Sequence, residues 1–87
     1  MKRKKGPQRR VVARDADGQK VLKKLGQAIT SIAAQQKIGL KQLAYEAGVS
    51  KGFIYDLAKG QGNPSILLLY RIAEANGITI SKLLSTL

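Results

Sequence analysis

Apolar residues recur along most of this chain at helical spacing, and no stretch alternates long enough to suggest a strand. Val21, Leu25, Ala28, Ile29 and Ile32 form one stripe, which predicts a long helix over residues 18–36. Asp17 stands where a cap belongs, with Ala16 and Val21 spaced as a hydrophobic staple. Gly26 breaks the stripe, at a cost of about 1 kcal/mol relative to alanine, and suggests a close helix–helix contact. Leu43, Ala44 and Ala47 predict a second, short helix that starts at Gly39 or Leu40, with Gly39 as its cap. Gly48 then supplies a left-handed residue to end it, and Ser50 is placed to cap a third helix over residues 51–59. Ile54, Leu57 and Ala58 give that helix an inward face. After Gly60, the run Gln61-Gly62-Asn63-Pro64 is turn chemistry. A fourth helix follows over residues 65–76, with Ile66, Leu69, Ile72 and Ala73 inward and Gly77 closing it. Thr79 caps a fifth helix to about residue 86, with Ile80, Leu83, Leu84 and Leu87 on one face.

The pattern therefore predicts a compact all-α domain of five helices over residues 17–87, without internal repeats. Charge changes the picture at one end. The 87 residues hold sixteen basic and five acidic side chains, a net charge of +11. Seven of the basic residues fall in the first fourteen positions with no acid among them: Lys2, Arg3, Lys4, Lys5, Arg9, Arg10 and Arg14. Residues 1–16 read as a flexible basic arm, because they have little to bury and Gly6-Pro7 interrupts any helix. Either the arm only aids solubility, or it lies along a polyanion and releases counterions there. The absence of cysteine and histidine removes disulfides, zinc fingers and the commonest general base. No metal and no cofactor is expected. No apolar run approaches a membrane span, and no apolar segment follows the basic start as in a secretory signal. A cytoplasmic location is the expectation.

Residues 43–60 carry the most specific signal: helix, glycine turn, capped helix. This is the helix-turn-helix pattern, whose second helix enters a DNA major groove. In order along the chain stand Leu25-Gly26 and Ile29, then Leu43-Ala44 with Gly48-Val49-Ser50, then Ile54 and Gly60. Asn63-Pro64-Ser65, Leu69, Ile72-Ala73, Gly77-Ile78 and Leu83-Leu84 follow. That ordered set resembles the Cro/phage-repressor family of helix-turn-helix domains, without a gap over about two-thirds of the chain.

The resemblance implies a sequence-specific DNA-binding transcription regulator with a lambda-repressor-like fold. It would act as a homodimer on a two-fold symmetric double-stranded operator. Lys51, Gly52, Tyr55 and Asp56 would take the base-facing positions of the reading helix. Lys51 would donate to guanine O6 or N7, or else touch only phosphate; Asp56 would accept from cytosine N4, or else pair with Lys51 or Lys59. Tyr55 would stack or bond to phosphate, and Gly52 would allow close approach. Ser50, Lys41, Lys59, Gln61 and Asn63 are the phosphate candidates. Phe53 is expected to be partly buried against the second helix.

Two departures from the family stand out. Leu40 occupies a position where the family often has a phosphate-clamping glutamine, so Lys41 or the free N–H groups of the helix start would substitute. Ala33 and Ala58 replace an arginine–glutamate pair, leaving no unpaired charge and an apolar contact between helices one and three. Leu67, Leu68 and Tyr70 join Leu69 to make the fourth helix apolar nearly all round. With Ile80, Leu83, Leu84 and Leu87 they form the expected dimer surface, unless they pack on residues 11–16 of the same chain.

Other functional classes remain to be weighed. An antitoxin, binding a partner protein and its own operator, is the main alternative. Non-specific packaging of nucleic acid by the arm is another. An enzyme using Tyr45, Tyr55 or Tyr70 as nucleophile lacks a basic catalytic constellation around any of them, so no catalytic residue is expected. No ligand-sensing or catalytic domain is expected after the fifth helix.

Overall fold

The computed structural model describes residues 16–85 and 87. The basic residues expected to form an arm lie outside them. The described residues form five helices: α1 (Ala16–Gln35), α2 (Leu40–Ala47), α3 (Lys51–Ala58), α4 (Ile66–Ala75) and α5 (Ile80–Leu84). They fold as the apolar pattern predicts, around one core to which every helix contributes. The largest fully buried side chains are Ile29 of α1, Leu43 of α2, Ile54 and Leu57 of α3, Ile72 of α4 and Leu83 of α5. Helix α2 packs on α3 and α4, α1 on α3, and α5 closes the bundle against α4 and α1.

Local chemistry sets the helix starts. The hydroxyls of Ser50, Ser65 and Thr79 accept from the backbone N–H groups of Phe53, Leu68 and Lys82 at 3.0, 3.1 and 3.1 Å. Each bond satisfies one N–H that the first helical turn leaves without a partner. Helix α2 differs, because Gly39 offers no side-chain acceptor.

Four helices end by one device. A residue with positive φ is followed by an N–H that reaches back to a carbonyl five residues earlier. The bonds are Ile38 to Ala33, Val49 to Ala44, Gln61 to Asp56 and Ile78 to Ala73, at 2.8, 3.0, 2.9 and 3.0 Å. Gly48, Gly60 and Gly77 hold the left-handed position at three of these ends; at the end of α1 it is Lys37, with φ 60°. A side chain in that conformation costs roughly 1–2 kcal/mol. Part of this is offset because glycine loses more freedom on folding. Lys37→Gly is therefore expected to stabilise the domain by about 0.5–1 kcal/mol, raising Tm by roughly 4 °C in thermal unfolding. An unchanged or lower Tm would show that the lysine is not strained there.

The structure corrects four expectations. Helix α1 already includes Ala16, two residues before its expected start at residue 18, and Asp17 sits inside its first turn rather than at a cap. There the carboxylate still meets the positive end of the helix dipole. Val21 and Ile66, expected inward, are 47% and 65% exposed. Each lies in the first two turns of its helix, where helical spacing continues past the point at which a facing helix is available. The fifth helix stops at Leu84, short of the expected end near residue 86, and the Ser85 hydroxyl and backbone N–H both donate to the Lys82 carbonyl there, at 2.7 and 3.2 Å.

The fourth correction concerns the expected dimer surface. Leu83 is fully buried within its own chain, so it cannot face a second copy. Leu68, Ile80 and Leu84 are half-buried and packed against the core. Only Leu67 and Leu87 of that set are exposed, and Ile66 and Tyr70 on α4 join them.

Candidate nucleic-acid interface

Helix α3 has two chemically distinct sides. Ile54 and Leu57 are fully buried, while Lys51, Gly52, Tyr55 and Asp56 are exposed. Positions 51, 52, 55 and 56 fall one turn apart in pairs, so they share a face. The four residues expected to face bases are thus brought together on the outward side of one short helix. A side chain at Gly52 would meet nothing within 4 Å, so that position is open space. Among the described residues, Asp56 has no ion-pair partner, and the pairing with Lys51 or Lys59 that the sequence allowed is not formed. Among the described residues, the carboxylate therefore has no cation beside it on this exposed face.

The surroundings fix how far this face protrudes. Phe53 is half-buried and packed against the core, as expected. Its ring edge lies against Gly62, where a Cβ would come within 3.8 Å of Cε1. The ring thereby supports the loop that carries Gln61 and Asn63, both of which are exposed. Lys59 caps α3 at its C-terminal end and is also exposed. Ser50 uses a lone pair on the Phe53 N–H, which leaves its own O–H able to donate outward to an anion.

The start of α2 adds a further set of donors. No side chain caps it, no acid lies in its first turn, and Lys41 is exposed there. Its first N–H groups point out of the helix end, where an anion is favoured. Leu40, at the position where the family often has glutamine, is instead half-buried against the core.

The sequence suggested a close contact at Gly26 but not which backbone it meets. A Cβ on Gly26 would lie 2.6 Å from the carbonyl oxygens of both Leu57 and Ala58. The backbone of α1 therefore meets the C-terminal end of α3 directly. One turn earlier, Lys23 of α1 meets Gly60: a Cβ there would lie 2.9 Å from Lys23 Cγ and 3.0 Å from its Cα. Ala33, in place of the family's arginine, is buried in the core. The close approach at Gly26 confirms the contact its place in the stripe suggested. The Gly60–Lys23 contact had no sequence signal, since nothing local links two residues so far apart.

Elsewhere, α1 and α5 border a shallow groove of about 530 Å³, floored by Ala28 and Ile32 and flanked by Lys24 and Lys82. Among the described residues, no group of three histidines, cysteines or carboxylates is placed to hold a metal ion. No helix among them is long and apolar enough to cross a membrane.

Comparison with known proteins gives a consistent result. A family model described as Helix-turn-helix matches residues 32–83, which include all of α2, α3 and α4. The immunity repressor protein of Bacillus phage phi105 is 35% identical over 57 residues, which are 66% of this chain and 40% of that protein. The chain thus spans less than half the length of this curated relative. The clp gene regulator ClgR of Corynebacterium glutamicum superposes with a TM-score of 0.73 at 29% identity, covering 76% of this chain and 70% of that one. The restriction-modification controller protein C.AhdI of Aeromonas hydrophila superposes at 0.69 and 24% identity, covering 71% and 94%; that likeness speaks to fold alone.

Proposed function

The chain belongs to the helix-turn-helix family of DNA-binding transcription regulators, of the Cro/phage-repressor type, and on that premise we propose that it reads one operator sequence as a homodimer. In this reading α3 lies in the major groove, with Lys51, Tyr55 and Asp56 toward base edges. Ser50, Lys41, Lys59, Gln61 and Asn63 meet the phosphates, and the start of α2 serves where the family's glutamine is absent. Residues 1–15 act as a basic arm along the backbone. The observation that carries this reading is the split of α3, with Ile54 and Leu57 fully buried and Lys51, Gly52, Tyr55 and Asp56 all exposed.

A second copy would bind through the exposed apolar residues of α4 and the chain end, Ile66, Leu67, Tyr70 and Leu87, flanked by half-buried Leu68, Ile80 and Leu84. Leu83 no longer belongs to this surface. The same exposed α4 residues favour a second reading, in which the chain also binds a partner protein as an antitoxin does. One of the similar structures, at 30% identity and a TM-score of 0.64, is a complex of the SinR and SinI proteins.

Selection from random duplexes tests the main reading. It is expected to return a two-fold symmetric site with half-sites about 34 Å apart. Enrichment of no sequence would leave only non-specific binding, which is typically 10³-fold or more weaker than specific binding. On the selected site, Lys51→Ala is expected to relax preference at one base pair per half-site, worth about 1–3 kcal/mol. Uniform weakening across sequences would instead make Lys51 a phosphate contact. In the same assay, removing residues 1–14 lowers affinity for every duplex and flattens its salt dependence; an unchanged slope would take the arm off the DNA.

A further inference from the structure

Helix α1 carries two adjacent lysines that the fold sends in different directions. Lys23 lies three residues before Gly26, so both fall on the side of α1 that meets α3. Lys24 turns away from α3 and flanks the groove between α1 and α5. The backbone contact of Lys23 with Gly60 sets it beside the turn that bears Lys59 and Gln61. Both Lys23 and Lys59 are exposed, and neither has an ion-pair partner among the described residues.

Lys59 adjoins Gly60 in sequence, so both lysines rise from the place where α1 meets that turn, and an anion bound there is attracted by both charges. The carbonyl end of α3 offers only a partial negative charge nearby. We propose that Lys23 is a phosphate-binding residue, delivered by α1 to the same backbone strand that Lys59 and Gln61 meet. This rests on the DNA-binding reading above and extends it to an element outside the helix-turn-helix. It also gives the contact between α1 and α3 a second role, since the close approach that seats the reading helix also brings a third-element cation to its exposed end.

The test is the salt dependence of affinity for mixed-sequence duplex DNA, read by fluorescence anisotropy. Wild type, Lys23→Gln, Lys59→Gln and Lys24→Gln are compared, with Tm measured for each. Lys23→Gln and Lys59→Gln are each expected to lower the magnitude of the log–log salt slope by about 0.9, with Lys24→Gln unchanged. An unaltered slope in Lys23→Gln, with or without a fall in Tm, overturns the assignment and leaves at most an interaction with the α3 carbonyls. An equal loss in Lys24→Gln also overturns it, because net charge alone would then explain the effect. A wild-type chain without salt-dependent binding removes the DNA reading and this assignment together. A normal wild-type slope shared by Lys23→Gln removes only the assignment.

Discussion

Leu83→Ala is expected to destabilise the domain by about 3 kcal/mol, because truncating a fully buried leucine loses its transfer energy and leaves a cavity. Helix α5 spans only Ile80–Leu84, too short to persist without tertiary contacts. Leu83 is its one fully buried side chain. Without it, Ile80 and Leu84 have too little contact to keep the helix docked on α4 and α1. For a domain of this size Tm should fall by more than about 10 °C in a circular dichroism melt. Leu87→Ala, at a position 43% exposed, should stay within about 0.5 kcal/mol of wild type. Because Leu83 faces its own core, the loss should be the same at low and high protein concentration. A loss that disappears on dilution would return Leu83 to an interface between copies.

Gly26→Ala is the second large effect, and it runs against helix propensity. Alanine in the middle of α1 should gain about 1 kcal/mol over glycine. The added methyl would stand 2.6 Å from two backbone carbonyls of α3, which no rotamer change can move aside. The helices must separate, and overpacking of that kind costs about 3 kcal/mol. The net expectation is a loss of about 2 kcal/mol, or roughly 10 °C in Tm. Duplex affinity should fall in the protein that remains folded, since α3 is displaced from α1. A rise in Tm would mean that propensity outweighs the contact and that the helices part at little cost.

These effects show which parts of the molecule the sequence made legible. The helix-turn-helix was readable because its signals are local: apolar spacing, Gly48 at a left-handed position and Ser50 as a cap all act within a few residues. The core positions Ile29, Leu43, Ile54, Leu57 and Ile72 followed from the same periodicity. Periodicity says which residues share a face but not where the facing helix ends, so Val21 and Ile66 were assigned inward yet stand exposed. The same limit put Leu83 with its neighbours on an outer surface. The end of α1 was placed within one residue, but the device that holds it was hidden. Its left-handed position is held by Lys37, and a lysine gives no sign of that conformation. The four residues the resemblance put toward DNA share one exposed side of α3, whereas Lys23 was out of reach because only the folded chain brings it to Gly60.

The division of α3 into a buried and an exposed side also bears on how such a protein could change its target. None of Lys51, Gly52, Tyr55 and Asp56 is a buried residue, and Gly52 opens onto empty space. Substitutions there meet water rather than packed neighbours, and most should shift stability by no more than about 0.5 kcal/mol. The outer surface of the helix can therefore be rewritten while its seat stays the same. On the proposed reading, a lineage, or a designer, could recode the operator at these four positions one at a time, with every intermediate still folded.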